Sequence, residues 1–109
     1  MQIADTPWKK FMGLMLRSSP EPLLFVFDSA GRYGFHTFFM RFPIDFIFLD
    51  EHKRVVETRE NVKPWRLVRP KAEAMYVLEL AAGEARKSNI KRGVKIDSCL
   101  WSEPYKIRH

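Results

Sequence analysis

Hydrophobic and polar positions along this chain follow the two-residue alternation and short apolar runs typical of β-strands. An apolar run at 23–27 indicates a strand buried on both faces, while residues 54–59 alternate as a half-exposed strand does. Similar patterns, bounded by proline, glycine and polar turns, recur along the chain. The sequence predicts about six strands and a short edge strand at 2–4, the strands lying at 23–27, 34–40, 44–50, 54–59, 75–80 and 94–100.

Helical periodicity is confined to two places. After Asp5-Thr6-Pro7, a cap residue followed by proline, apolar side chains recur every three or four residues from Trp8 to Met15, which predicts an amphipathic helix over about 8–16. Its apolar stripe fits packing on a sheet, with a methionine-lined ligand surface as the alternative. Gly83 opens a second, short helix that ends at Asn89, a residue tolerated in the left-handed region.

The connections set the expected topology. Residues 28–32 have turn chemistry, with Gly31 available for a positive φ, and predict a hairpin between the strands at 23–27 and 34–40. A polar turn at 51–53 predicts a second hairpin over 44–59, entered through Pro43. Residues 61–73 lack periodicity and predict a long loop. The expected class is α+β: a mostly antiparallel curled sheet or small barrel with one N-terminal helix and a short second helix.

Composition constrains the number of domains, the charge of the partners and the cellular location. A chain of 109 residues with 46% apolar residues fits a single domain, 1–109, and a net charge of +6 attracts anionic partners. The lone Cys99 forms no internal disulfide, no run is long enough to span a bilayer, and the first residues lack a signal pattern. We expect a cytoplasmic, basic protein without a membrane span; the oligomeric state is not predicted.

Four short motifs, in order, resemble an uncharacterised family, domain of unknown function 192. They are Gly-Leu-Met-Leu-Arg at 13–17, Leu-Phe-Val-Phe at 24–27, Phe-Phe-Met-Arg at 38–41 with Pro-Ile-Asp at 43–45, and Tyr-Val-Leu-Glu-Leu-Ala-Ala-Gly at 76–83. The resemblance covers nearly the whole chain. It implies a compact β-rich α+β domain and no established activity.

The chain departs from the family pattern in a few places. Many relatives have tryptophan where Phe39 stands and lysine where Arg41 stands. The usual Gly-Ile-x-x-Gly-Asp near the end is Asn-Ile-Lys-Arg-Gly-Val at 89–94, so the aspartate of that motif has no counterpart here.

Two carboxylates fall inside apolar strands. Alternation places Asp45 on the face of Ile47, and Glu79 on the face of Val77. A carboxylate in such surroundings either pairs with a cation, for Asp45 with Arg41 or Arg17, or serves as an acid or base.

Further polar residues lie near these carboxylates in the pattern. His36 shares a strand face with Phe38 and is either a hydrogen-bonded core residue or a contact at a pocket mouth. Glu60 and Asn61 either cap a strand end or close the same cluster. Our first hypothesis is therefore a binding module for a small anionic ligand or an extended peptide, with the candidate residues His36, Arg41, Asp45, Glu79, Glu60 and Asn61.

The basic segment 63–71 supports a second hypothesis, nucleic-acid binding. It surrounds one tryptophan with four cations, so that the ring can stack on a base while the cations contact phosphates. Alternatively, Trp65 folds back on the sheet and packs with the Arg66 stem. The candidate residues are Lys63, Trp65, Arg66, Arg69 and Lys71.

A third hypothesis is an enzyme that uses Asp45 or Glu79 as a general base. The sequence offers no nucleophile elbow, no phosphate-cradling glycine loop and no metal-ligand spacing among His36, His52, His109 and Cys99. We therefore expect no metal and no cofactor, and we do not favour an enzyme.

Overall fold

The computed structural model describes residues 23–38, 40–96 and the backbone of 106–108. Within these ranges the chain forms strands and one helix, in the order β1 (Leu23–Gly31), β2 (Phe35–His36), β3 (Ile44–Leu49), β4 (Val55–Val62), β5 (Leu67–Val68), β6 (Ala74–Ala81), α1 (Glu84–Lys87) and β7 (Lys106–Arg108). The predicted strand at 2–4, the helix at 8–16 and residues 97–100 of the last predicted strand lie outside the described residues.

A five-stranded sheet in the order β4-β3-β6-β1-β7 forms the main layer, and β2 pairs with β5 in a separate two-stranded sheet. The central strand β6 runs antiparallel to β1 on one side and to β3 on the other, whereas β1 and β7 are parallel. The β-rich, mostly antiparallel prediction is confirmed. The small-barrel alternative is wrong, because the main sheet stays open between β4 and β7.

Strand β3 is apolar on both sides because the sheet has a core on each face. All six of its residues are buried. Phe46 and Phe48 point to one face, and Ile47 and Leu49 point to the other. The two faces are therefore distinct packing environments, and a shift of one residue along β3 moves a side chain from one core to the other.

Different elements cover the two faces. The face of Phe46 packs against Val68 of β5 and Phe35 of β2, and we call it the β5 face. The face of Ile47 packs against Ala85 of α1, and we call it the α1 face.

The predicted hairpin between β1 and a following strand is wrong. Strand β1 pairs with β6 and β7, and β2 pairs with β5. Gly31 is the last residue of β1 and does not have a positive φ. A side chain at this position would be crowded, because a Cβ atom would lie 3.0 Å from the ring of Tyr33, which stacks on Phe27 at 3.7 Å between centroids.

Several other local predictions hold. The β3–β4 hairpin is present, and Gly83, with φ 94°, precedes α1. Asn89 follows the helix with φ 56°, and Gly93 turns the chain with φ 93°. The predicted loop at 61–73 is shorter, because β4 extends to Val62 and β5 lies within it. None of the helices in the described ranges has the length and apolar character needed to cross a membrane.

Candidate functional site

Asp45 holds together three segments of the fold. One carboxylate oxygen, Oδ1, accepts a hydrogen bond from the Asn61 backbone N–H at 2.8 Å. The other, Oδ2, accepts from the backbone N–H groups of Gly83 at 3.0 Å and Ala85 at 3.1 Å. Asp45 is fully buried. Because it accepts N–H groups at the start of α1, it caps the first turn of this helix from a strand that is distant in sequence.

The irregular end of β4 makes this arrangement possible. The β3–β4 register shifts between Ile44 and Phe46, opposite Glu60 and Asn61. Asn61 has φ 54°, a left-handed conformation that asparagine tolerates. This bulge turns the Asn61 N–H away from the ladder and toward Asp45. Three backbone donors, and not the predicted partner Arg41, bind the Asp45 carboxylate among the described residues. The other predicted partner, Arg17, lies outside the described residues.

A cavity of about 360 Å³ opens beside this junction, and we call it the Asp45 cavity. It contains three of the predicted binding residues, and its full lining is Asp45, Glu60, Asn61, Ala82, Gly83 and Arg86. The exposed Arg86 guanidinium lies 3.9 Å from the Glu60 carboxylate. Two carboxylates against one cation make this cavity a poor site for an anion.

Glu79 is fully buried but does not reach the Asp45 junction. In the β3–β6 ladder, Glu79 is opposite Phe46 and Leu80 is opposite Asp45. Since directly opposed residues share a face, Glu79 lies on the β5 face and Asp45 on the α1 face. The two carboxylates are separated by the sheet and form no common cluster.

The other two predicted ligand residues also lie apart from Asp45. His36 is in β2, on the layer that covers the β5 face, and its Nδ1 accepts the Phe38 backbone N–H at 3.3 Å. Arg41 is exposed in the segment between Met40 and β3. The sheet therefore divides the six candidates.

Thr37 anchors the basic segment to the fold. Its hydroxyl donates to the Lys63 carbonyl at 2.7 Å and accepts the Arg66 N–H at 2.9 Å. The Thr37 backbone N–H donates to the Arg66 carbonyl at 2.9 Å, and the Thr37 carbonyl accepts the Trp65 N–H at 3.0 Å. A threonine that is only 1% exposed thus fixes the turn that carries Trp65.

This turn holds the Trp65 side chain exposed to solvent. Its backbone has φ 66°, which is unfavourable for a bulky residue, and its side chain is 56% exposed. The indole stacks on Phe38, with centroids 5.7 Å apart, and Phe38 lies 5.0 Å from the His36 ring. Leu67, opposite His36 in the two-stranded sheet, is 59% exposed. We call His36, Phe38, Trp65 and Leu67 the aromatic platform.

Glu57 and Arg59 form a second polar network at the edge of the main sheet. The Glu57 carboxylate accepts the Arg59 Nε–H at 2.7 Å and the backbone N–H groups of Lys71 and Ala72 at 2.8 and 2.9 Å. Burial acts to raise the pKa of Glu57, but the hydrogen bonds from Ala72, Arg59 and Lys71 outweigh it and lower the pKa from 4.5. Glu57 is therefore an ionised anchor for Arg59.

The Arg59 guanidinium is oriented from two sides. Besides the bond to Glu57, its Nη2 donates to the Arg69 carbonyl at 3.1 Å. The side chain nevertheless remains 37% exposed. It borders a cavity of about 600 Å³, which we call the Glu57 cavity and which is lined by Val56, Glu57, Thr58, Arg59, Lys71, Ala72 and Arg92. Three cations against one carboxylate give this cavity a positive charge.

Sequence reasoning found Lys71 but missed Thr37, Glu57 and Arg59. A signal for the last two exists, because residues two apart on an alternating strand share a face, and opposite charges there can pair. Thr37 gives no comparable signal, since its partners lie 26 and 29 residues away. Within the described part of the chain, no three His, Cys, Asp or Glu side chains come together as a metal site requires.

The fold and its cavities define a class of small β-rich proteins built on an open, mostly antiparallel sheet. The family model of domain of unknown function 192 (Uncharacterized ACR) matches residues 1–98. The chain belongs to this family, as its four motifs predict.

Related proteins give the same identification. The chain is 39% identical over 100 residues to a UPF0127 protein of Thermococcus sibiricus, covering 89% of this chain and 64% of that protein. A UPF0127 protein of Pyrococcus abyssi is 36% identical over 99 residues, covering 89% of this chain and 84% of its own length. The chain thus spans less than two thirds of the Thermococcus sibiricus relative.

A solved structure supports the fold. The crystal structure of a protein of unknown function from Novosphingobium aromaticivorans is similar, with a TM-score of 0.77 and 26% identity. The match covers 88% of this chain and 72% of that chain.

Proposed function

We propose that the protein binds a small ligand carrying phosphate or carboxylate groups, and that the Glu57 cavity is the binding site. The observation that carries the proposal is the fixed guanidinium of Arg59, which Glu57 and the Arg69 carbonyl orient while it borders an open, positively charged cavity. This proposal retains the small anionic ligand expected from the sequence and transfers it to a different set of residues.

The geometry of Arg59 suits an oxyanion. Glu57 and Arg69 engage two of the five N–H donors of the guanidinium, and the described contacts leave Nη1 to meet a ligand. A planar guanidinium pairs with carboxylate or phosphate through two parallel hydrogen bonds. Because Glu57 fixes the side chain beforehand, less conformational entropy is lost on binding.

Lys71 and Arg92 supply the remaining charge. Both are exposed and line the same cavity, so each can approach a ligand without breaking a described hydrogen bond of its side chain. The Glu57 carboxylate offsets one of the three positive charges, and its hydrogen bonds to one guanidinium and two backbone N–H groups direct its oxygens toward these donors. The cavity therefore keeps an excess of positive charge for an anion.

Thermal unfolding in the presence of simple anions tests the proposal. We expect sodium phosphate, pyrophosphate and citrate to raise the melting temperature in a concentration-dependent manner, as mass action requires for a ligand of the native state, and glucose in sodium chloride of matched ionic strength to leave it unchanged. Isothermal titration calorimetry then measures the affinity directly. Equal shifts with glucose, or none with the three anions, would refute the proposal.

Two variants locate the site. Arg92→Gln removes a cation from the cavity without touching the Glu57 network, so we expect weaker anion binding and unchanged stability. Arg86→Gln makes the same charge change at the Asp45 cavity and serves as the control. Equal loss of binding in both variants would mean that only net charge matters, and the site would be wrong.

An extended-peptide ligand, a general-base role for Asp45 or Glu79 and a cytoplasmic location stay predictions. For Asp45, the three backbone N–H groups that it accepts favour a structural anchor.

A further inference from the structure

We infer that the aromatic platform is a stacking surface for single-stranded nucleic acid, a second binding activity independent of the Glu57 cavity. The platform joins an exposed indole, a ring stacked beneath it and a neighbouring exposed leucine. Such an arrangement provides flat apolar area that a nucleobase can cover.

The conformation of Trp65 shows that its exposure is built into the fold. A tryptophan with φ 66° sits in a region that costs roughly 1–2 kcal/mol for a residue with a side chain. Hydrogen bonds from the hydroxyl and backbone of Thr37 to residues 63, 65 and 66 offset this conformational strain and stabilise the turn. A side chain fixed in this way loses little freedom on meeting a ligand.

The charges around the platform favour an anionic partner, and the exposed indole beside them favours a single-stranded nucleic acid over an acidic protein surface. Residues 63–71 contain Lys63, Arg66, Arg69 and Lys71 and no carboxylate. Lys63, Arg66 and Arg69 are all exposed. A single strand presents bases and regularly spaced phosphates together, which matches an aromatic surface flanked by cations. A double helix hides its base faces in the stack.

The aromatic platform and the Glu57 cavity are separable sites. The platform lies on the two-stranded sheet of β2 and β5, while the cavity lies beside β4 and residues 71–72. Lys71 lines the cavity, so three cations remain for the platform. Each site therefore has its own test.

Fluorescence anisotropy with labelled 12-nucleotide probes tests the inference. We expect oligo(dT) to bind at low salt and an abasic strand of equal length, with the same phosphates but no bases, to bind at least about tenfold more weakly. The logarithm of affinity should fall with the logarithm of salt concentration with a slope of about −2, since each of three phosphate contacts contributes roughly −0.7. Equal affinity for the two strands, or no binding of oligo(dT) at low salt, overturns the inference.

Variants assign the contact to Trp65. Trp65→Asn removes the ring but retains a residue that tolerates positive φ, so the turn is preserved while affinity for oligo(dT) falls at least about tenfold. Arg66→Gln should reduce the salt slope by about 0.7. Lys87→Gln removes one cation from α1, on the opposite face of the sheet, and should leave oligo(dT) affinity within twofold. A Trp65→Asn protein that is folded by circular dichroism and binds oligo(dT) as tightly as the parent overturns the inference.

Discussion

The substitution Asp45→Asn removes the charge from the junction of β3, β4 and α1 while keeping the shape of the side chain. In the parent protein the two carboxylate oxygens together accept three backbone N–H groups. An amide has only one oxygen. Its best orientation places that oxygen toward Gly83 and Ala85 and directs the NH2 group at the N–H of Asn61, so that two donors face each other.

The expected loss of stability follows from the number of hydrogen bonds that the amide cannot make. At least one hydrogen bond to a charged acceptor is lost, which costs roughly 1.5–3 kcal/mol, and the two that remain weaken because their acceptor is neutral. The Asp45 side chain has no solvent-exposed surface, so water from the adjoining cavity compensates only in part. We expect a loss of about 3 kcal/mol in the free energy of unfolding, equivalent to a melting temperature roughly 12–24 °C lower for a protein of this size.

Urea unfolding, followed by far-ultraviolet circular dichroism, measures the loss. Native-state hydrogen exchange should also show reduced protection at the amides of Asn61, Gly83 and Ala85. Glu60→Gln is the matched control, because it neutralises an exposed carboxylate of the same cavity whose partner Arg86 is 3.9 Å away, and it should change stability by less than about 0.5 kcal/mol. If Asp45→Asn proves as mild as Glu60→Gln, the three hydrogen bonds do not stabilise the junction and our reasoning is wrong.

Substitutions at three further positions test other parts of the structure by the same unfolding measurement. Thr37→Val leaves the Lys63 carbonyl and the Arg66 N–H without their buried partner, and it should lower the free energy of unfolding by about 2–3 kcal/mol. Thr37→Ser keeps the hydroxyl and should cost under half as much. Equal losses in the two variants would contradict this role of the hydroxyl. Gly83→Ala should cost about 1 kcal/mol through backbone strain alone, because φ is 94° and a Cβ atom meets nothing within 4 Å; a neutral result would contradict it. Because the pKa of Glu57 is lowered in the folded protein, its contribution to stability is complete above pH 4.5 and is lost as the pH falls through the lower folded value. Glu57→Gln should therefore weaken the dependence of stability on pH in that acidic range, and an unchanged dependence would refute the anchor role of Glu57.

Several strands were predictable because their local patterns, continuous apolar runs or period-two alternation, do not depend on the topology. Strands β3, β4 and β6, and the hairpin of β3 with β4, follow from local alternation and a polar turn. The pairing of β2 with β5 does not, because it depends on contacts between segments about 30 residues apart. Gly31 illustrates the same limit: the sequence indicates a turn with positive φ, while the structure shows a strand residue whose Cβ atom would crowd the Tyr33 ring.

The expected polar cluster fails for a reason contained in the ladder itself. Local alternation correctly gives the face of each carboxylate relative to its own strand, but only the β3–β6 register relates one strand to the next. That register pairs Asp45 with Leu80 and Phe46 with Glu79, so a difference of one residue places the two carboxylates in different cores. The ligand site that we propose therefore uses charged groups at the edge of the sheet instead. At the edge strand β4, Glu57 and Arg59 meet the chain between β5 and β6, and their network combines fixed orientation with access to solvent.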